Sequence, residues 1–220
     1  MKIFLEERTI EFIGNKQADS SADILVFEYQ PGKQIKEVWK EFEADKTKKK
    51  LLIWSQDENA DAMSAFYSLF RIIVAAGGIV RNEKGEILFI FRYGKWDLPK
   101  GKLVMHHEPQ STFKEYNGFK INENPVEAAV REVMEETGLR DIKVIHELAS
   151  TYHIFYKTKK RLIKRTYWFE MFAGSGQTLI PQEKEGITIV KWISEKEIPG
   201  ILNNTFASLN DLILSVLAEN

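Results

Sequence analysis

Pro125–Leu139 reads PVEAAVREVMEETGL, and the parsing of that stretch decides the fold. Pro125 suits the first position of a helix, where no backbone N–H is needed, and Asn124 before it is a residue type that caps orphan N–H groups. Gly138 can take the left-handed conformation that closes a helix. The spacing therefore predicts a helix from Pro125 to about Glu136. Ala128, Ala129 and Val133, with Leu139 just beyond, give it an apolar side. Glu132, Glu135 and Glu136 stand at i, i+3 and i+4, so three carboxylates share one face. Like charges so spaced repel by roughly a few tenths of a kcal/mol per pair. Taken alone, such a face is an acidic, solvated surface.

Strand signals lie on both sides of this helix. Upstream, IIVAAGGIV from Ile72, the turn RNEKGE and the run ILFIFRY predict a β-hairpin, with Asn82 and Gly85 supplying the turn chemistry. WDLPKGK follows as a loop. Downstream, IKVIHELASTYHIFY, LIKRTYWFEMFAG and GITIVKWI read as strands, and a last helix is expected from about Phe206 to Leu217. Strands, one helix, more strands and a closing helix imply an α/β (α+β) fold, a mixed sheet covered by helices.

Residues 1–70 have their own pattern. KIFLEE, RTIEFI, ADILVFEY and LLIWS are strand-like, Ile35 to Phe42 has helical spacing, and Asn59 or Asp61 would cap a helix carrying Met63, Phe66, Tyr67 and Phe70. The expected division is a small N-terminal α/β lobe over 1–70 and a second domain over 71–220. Trp39, Trp54, Phe66 and Phe70 are many large aromatics for so small a lobe, because small domains bury only about 60% of their surface. Some are expected to pack against the second domain, or against another copy in a homodimer.

Composition excludes several classes. With no cysteine in 220 residues, neither a disulfide framework nor a thiolate metal site can form, which fits a reducing cytoplasm. Glu6 and Glu7 stand where a signal peptide needs an apolar core, and no apolar run is long enough to span a bilayer, so no membrane role is expected. A net charge of −1 provides no global attraction to nucleic acid, which is not an expected partner. Two basic runs, Lys46 to Lys50 and Lys157 to Arg165, read first as solvated loops or hairpin tips.

The carboxylate face acquires meaning from its surroundings. Hard divalent cations such as Mg²⁺ prefer carboxylate and water oxygens and would offset the repulsion. From Glu123, a gap of seven residues leads to Arg131-Glu132-Val133, then Glu135-Glu136 and Gly138-Leu139. This pattern resembles the signature box of the Nudix hydrolases, over a similarity running from about Ile72 to Leu217. The family places a glycine six residues before the first glutamate. Here Gly101 stands twenty-two before Glu123, so the intervening loop is expanded by sixteen residues.

The resemblance implies an αβα sandwich around a mixed sheet and a Mg²⁺-dependent attack of water on a phosphoanhydride, with Mn²⁺ as an alternative metal. Glu132, Glu135 and Glu136 would hold the metal. Arg131 would orient a glutamate, and Gly101 would let the loop pass close to the helix. Glu132 and Glu185 are both candidates for the general base. Arg92, Lys100 and Lys102, around WDLPKGK, would grip phosphates of a small nucleotide-type substrate. Tyr152, His153 and Tyr156 would contact a base or sugar, or else are alternating strand aromatics. His106 and His107 are not expected to bind metal, since Mg²⁺ prefers oxygen. Residues 104–122 are expected to form a flap, with Phe113, Tyr116 and Phe119 as apolar contacts.

WDLPKGK is similar to the loop of Nudix enzymes that act on diadenosine polyphosphates or diphosphoinositol phosphates. A second reading moves the same chemistry to an RNA 5′ end, with Lys157 to Arg165 following the backbone. A third makes the chain a Nudix-fold sensor that binds a nucleotide without cutting it. Such modules typically lose box carboxylates, and here all are present.

Overall fold

The computed structural model describes residues 1–14, 21–30, 35–55, 59–103, 114–116, 119–121, 123–158 and 160–218. The chain divides into two units: Met1–Ile73 with Tyr152–Lys164, and Val74–Thr151 with Arg165–Asn220. Among the described residues, no helix is long and apolar enough to cross a membrane.

The first unit contains β1 (Lys2–Leu5), β2 (Arg8–Ile13), β3 (Ile24–Glu28), α1 (Ile35–Ala44), β4 (Lys50–Trp54) and α2 (Asn59–Tyr67). β4 lies between β2 and β3 and pairs parallel with both, from Lys50 to Trp54. A central parallel strand is covered on both faces, and Leu51, Leu52 and Ile53 are accordingly all buried. β1 pairs antiparallel with β2, and its Phe4 pairs parallel with His153. Helix α1 turns Ile35, Val38, Trp39 and Phe42 inward, a period of three to four residues that matches one helical face.

Three of the large aromatics share a core with residues from beyond the N-terminal seventy. Trp39, Phe66 and Phe70 pack together inside this unit, with Trp39 edge-on to Phe66 at 5.6 Å and to Phe70 at 5.2 Å. Ile154 and Ile163, both 1% exposed, complete the same core. The segment Tyr152–Lys164 thus enlarges the lobe beyond its seventy-odd N-terminal residues.

The second unit takes most of β5 (Arg71–Arg81), then β6 (Ile87–Arg92), β7 (Lys95–Asp97), β8 (Lys100–Lys102), β9 (Lys114–Tyr116), β10 (Phe119–Ile121) and α3 (Pro125–Thr137). The long strands β11 (Lys143–Lys157) and β12 (Lys160–Phe172) lend it their portions outside Tyr152–Lys164. β13 (Ile187–Ile193), α4 (Ile198–Leu202) and α5 (Ala207–Ala218) complete it. The strand order is β13-β6-β5-β12-β11.

Side-chain alternation separates two cores. Ala76, Val80, Leu88, Tyr167, Phe169 and Met171 pack with Ala128, Ala129 and Val133 of α3. Their neighbours Ile79, Ile87, Phe89 and Trp168 pack with residues of α4 and α5. Period-2 strands bury both faces only if both are covered, so helices lie on the two sides of this sheet. The protein is therefore α+β with a mixed sheet. The hairpin turn forms as read: Asn82 Oδ1 accepts from the backbone N–H groups of Lys84 and Glu86, and Gly85 takes φ 75°.

WDLPKGK is not a plain loop. Lys95–Asp97 pairs with β6 and Lys100–Lys102 pairs antiparallel with β5, Gly101 facing Ala76. Pairing fixes the path of this segment over the sheet, which its Pro and Gly content did not announce. The backbones of β9 and β10 pair with each other. The expected flap contacts and His106 and His107 fall outside the described residues or side chains.

Candidate active site

Helix α3 is anchored at both ends as its sequence requires. Asn124 Oδ1 accepts from Val126 N–H at 3.0 Å, Pro125 fills the first turn, and Gly138 donates to Met134 O from φ 81°. Ala128, Ala129 and Val133 are fully buried, which fixes the rotation of the helix and hence the direction of its acidic face.

Along that face the three glutamates differ in environment. Glu135 retains 48% side-chain exposure, whereas Glu132 is nearly buried and Glu136 fully so. Gly101 explains how Glu132 fits: a Cβ on residue 101 would occupy the space of the Glu132 carboxylate. Any larger residue would require Glu132 to turn away or the strand to shift.

Arg131 joins four groups. Its Nε donates to Glu123 Oε1 at 3.0 Å and one terminal nitrogen donates to Glu123 Oε2 at 3.2 Å. The other terminal nitrogen reaches Glu132 at 2.8 Å and Glu135 at 3.4 Å, and the backbone carbonyl of Lys102 accepts at 3.2 Å. A planar guanidinium suits this forked geometry. Its hydrogen bonds to Glu123, against some desolvation, hold Arg131 charged even more firmly than usual.

Glu136 is held from the opposite side. Arg92 donates to its Oε1 at 2.9 Å and the backbone N–H of Lys100 to its Oε2 at 2.8 Å. Asp97 ties these partners together: its Oδ2 accepts from Arg92 Nε at 3.0 Å and Lys100 Nζ at 2.5 Å, while Oδ1 accepts from Leu98 N–H. Burial opposes ionisation of Asp97, but Lys100 and Arg92 hold its carboxyl below the usual range. Burial pushes Glu136 up to about 7, despite Lys100 and Arg92. Burial also raises Glu132 above its ordinary value, with Arg131 opposing and Glu135 and Glu185 adding to the rise.

The structure thus brings together Arg92, Lys100, Arg131, Glu132, Glu135 and Glu136, with the Lys102 carbonyl. Glu185, in the 3-10 turn Glu183–Glu185, is exposed, and its charge is felt by both Arg92 and Glu132. Tyr152, His153 and Tyr156 belong to the first unit. There Tyr152 packs on the core and stands 6.4 Å from the Tyr67 ring, His153 stands 5.6 Å from Phe155, and Tyr156 donates to Glu43. Asp97 is the participant that sequence reading missed. Its signal was an acid three residues before Lys100, in a segment read as loop. Among the described residues, no three acidic or histidine side chains converge as a ready-made cation cage.

Comparison with known proteins places the chain. The family model for the NUDIX domain matches residues 71–211, and the chain belongs to that family. It is 30% identical over 92 residues to an RNA pyrophosphohydrolase of Hamiltonella defensa, covering 40% of this chain and 45% of that protein. An RNA pyrophosphohydrolase of Mannheimia succiniciproducens is 33% identical over 92 residues, covering 40% and 38%. The chain therefore spans less than half the length of these curated relatives. Among solved structures, the MutT protein from Methanosarcina mazei Go1 is 24% identical, with a TM-score of 0.48 over 69% of this chain and 96% of that one.

Proposed function

We propose that this protein hydrolyses a phosphoanhydride bond in a nucleoside-diphosphate-linked substrate with the help of a divalent cation, Mg²⁺ or Mn²⁺. The observation that carries the reading is the carboxylate face of α3, fixed by Arg131 on one side and by Arg92 and Lys100 on the other. The charge balance around it fits a cation. Asp97, Glu123, Glu132, Glu135 and Glu136 outnumber Arg92, Lys100 and Arg131, and burial leaves Glu132 and Glu136 short of positive charge. Hard oxygen donors without sulfur or nitrogen suit Mg²⁺.

Glu132, Glu135 and Glu136 would hold the ion, using lone pairs that Arg131, Arg92 and Lys100 leave open. When bound, the ion supplies charge that polarises the phosphoryl oxygens and acidifies the attacking water. Glu132 or Glu185 takes the proton from that water; both sit in the same field of charges. Arg131 keeps Glu132 and Glu123 in position, and Gly101 keeps the backbone from displacing Glu132. Lys102, exposed beside the helix, contacts phosphate, and Arg92 and Lys100 lend positive charge from their places around Glu136.

Two substrates follow from the residues and the relatives. WDLPKGK favours a dinucleoside polyphosphate. The relatives named RNA pyrophosphohydrolase favour a 5′-triphosphorylated RNA end. The deciding assay offers both, with other nucleoside-diphosphate-linked compounds, in Mg²⁺ and in Mn²⁺, and follows phosphate or nucleotide release. Turnover is expected to require the cation, and Glu135→Gln is expected to lower it on the order of several hundred-fold without unfolding the chain. Wild-type protein that releases nothing from any of these compounds, or E135Q retaining more than about a tenth of wild-type turnover at saturating Mg²⁺, would overturn the reading.

A further inference from the structure

The hairpin of β6 and β7 carries a residue that its turn does not favour. Arg92 pairs with Lys95, so Tyr93 and Gly94 alone make the turn, at φ 51° and 78°. A two-residue turn with both φ values positive ordinarily takes asparagine, aspartate or glycine at its first position. A bulky aromatic there is strained, and such strain persists only where the surrounding structure enforces it. Burial does not explain the choice. Tyr93 is 83% exposed, the most open large hydrophobic side chain among the described residues.

The hairpin is nonetheless held on both sides. Gly94 O accepts from Asn204 Nδ2 at 3.0 Å, Trp96 N–H donates to Asn204 O at 2.9 Å, and Thr205 Oγ1 donates to Trp96 O at 2.7 Å. Phe91 and Trp96 meet edge-on at 5.1 Å. On the other side the Tyr93 ring lies against Gly186, so closely that a Cβ on Gly186 would come within 2.7 Å of it. Gly186, at φ 75°, closes the turn Glu183–Glu185 and leads into β13, whose Ile187 pairs with Arg92. The ring is thus seated on backbone at one edge while most of its surface stays open to solvent.

Its place connects it with the carboxylates. Arg92, the residue before it, donates to Glu136, and Glu185, the residue before Gly186, acts on Arg92 and Glu132 through its charge. A fixed, exposed ring at the edge of a phosphoanhydride site suits the planar base of a nucleotide, because stacking needs no matching polar group. A ring fixed before binding also loses little conformational freedom when the base arrives. On the reading of the substrate as a nucleotide, we infer that Tyr93 is the stacking platform for its base. That contact, and not folding, accounts for an aromatic residue at the strained position.

The test uses the full-length protein, Mg²⁺ and 2-aminopurine riboside 5′-triphosphate in which methylene groups replace the anhydride oxygens. No anhydride bond remains to be cut, so binding is read apart from turnover, and a failure of the hydrolytic reading would appear in the turnover assay instead. Emission of 2-aminopurine falls on stacking, and the wild type is expected to quench it on binding. Tyr93→Leu should weaken binding about tenfold or more and remove most of the quenching, whereas Tyr93→Phe, which keeps the ring, should retain both. Tyr93→Asn, a residue that suits the turn, should lose binding to the same degree yet melt about 2–4 °C above the wild type. A tyrosine kept for structure would do the reverse, its loss lowering the melting temperature and leaving affinity unchanged. No quenching by the wild type, unchanged affinity in Tyr93→Leu, or a lower melting temperature with unchanged affinity in Tyr93→Asn would each overturn the proposal.

Discussion

Glu136 carries its proton on terms set by burial. Its folded value near 7 lies above the ordinary 4.5, so between those values the folded state keeps a proton that the unfolded state has released. Stability in EDTA is therefore expected to fall as pH rises from about 4.5 to 7, and Glu132, raised in the same direction, adds to the fall. Thermal melts of wild type and Glu136→Gln across that range check it: the variant should show the shallower decline. An identical slope would mean that Glu136 is not the group that titrates. Asp97 makes a second expectation at this scale. Removing it takes from Lys100, mostly buried, its carboxylate partner and leaves Arg92 with Glu136 alone, so Asp97→Ala should cost about 3–5 kcal/mol in denaturant unfolding. A loss under about 1 kcal/mol, typical of a solvated pair, would count against a buried ion network.

Between elements, the contact that matters most is that of β8 with α3. Gly101 pairs with Ala76 in the sheet while its α-carbon faces the Glu132 carboxylate. A methyl group there cannot be accommodated by a rotamer change of residue 101 itself; Glu132 must turn away or β8 must move off β5. Gly101→Ala is expected to reduce turnover on the order of 100-fold, since displacements near 1 Å cost that much. Its melting temperature should change far less, because Glu132 stands beside, and not within, the apolar core. Equal damage to turnover and to stability would instead identify Gly101 as a packing residue. Helix α3 itself is legible in the sequence: Asn124, Pro125 and Gly138 occupy the cap positions their chemistry predicts. The paired strands in WDLPKGK are not, because three-residue strands have no period long enough to detect.

At the scale of the molecule, the first unit depends on chain that arrives more than eighty residues after its own last helix. Ile154 and Ile163 are buried with Trp39, Phe42 and Phe66 in one core. Replacing either with alanine should cost about 2–5 kcal/mol. A fragment of residues 72–220 would leave both isoleucines without that core. It should be poorly soluble or melt well below the full chain, as calorimetry and size-exclusion chromatography would report. A fragment as soluble and as stable as the whole would show that Tyr152–Lys164 needs no partner from residues 1–71.

What the sequence determined by itself was local in origin. Helical period, cap residues and strand alternation act over a few positions, so α3, its acidic face, the β5–β6 turn and most strands could be read directly. The Nudix pattern also gave the family, because its spacing along one helix is a covalent fact. Tertiary structure alone decided which charges meet. Arg92 reaches Glu136 across 44 positions and the Lys100 backbone N–H reaches it across 36, separations that no local pattern spans. It also decided that Tyr152–Lys164 joins the first unit. Those outcomes depend on which apolar faces cover one another, and burial of that kind is a property of the folded chain, not of any window along it.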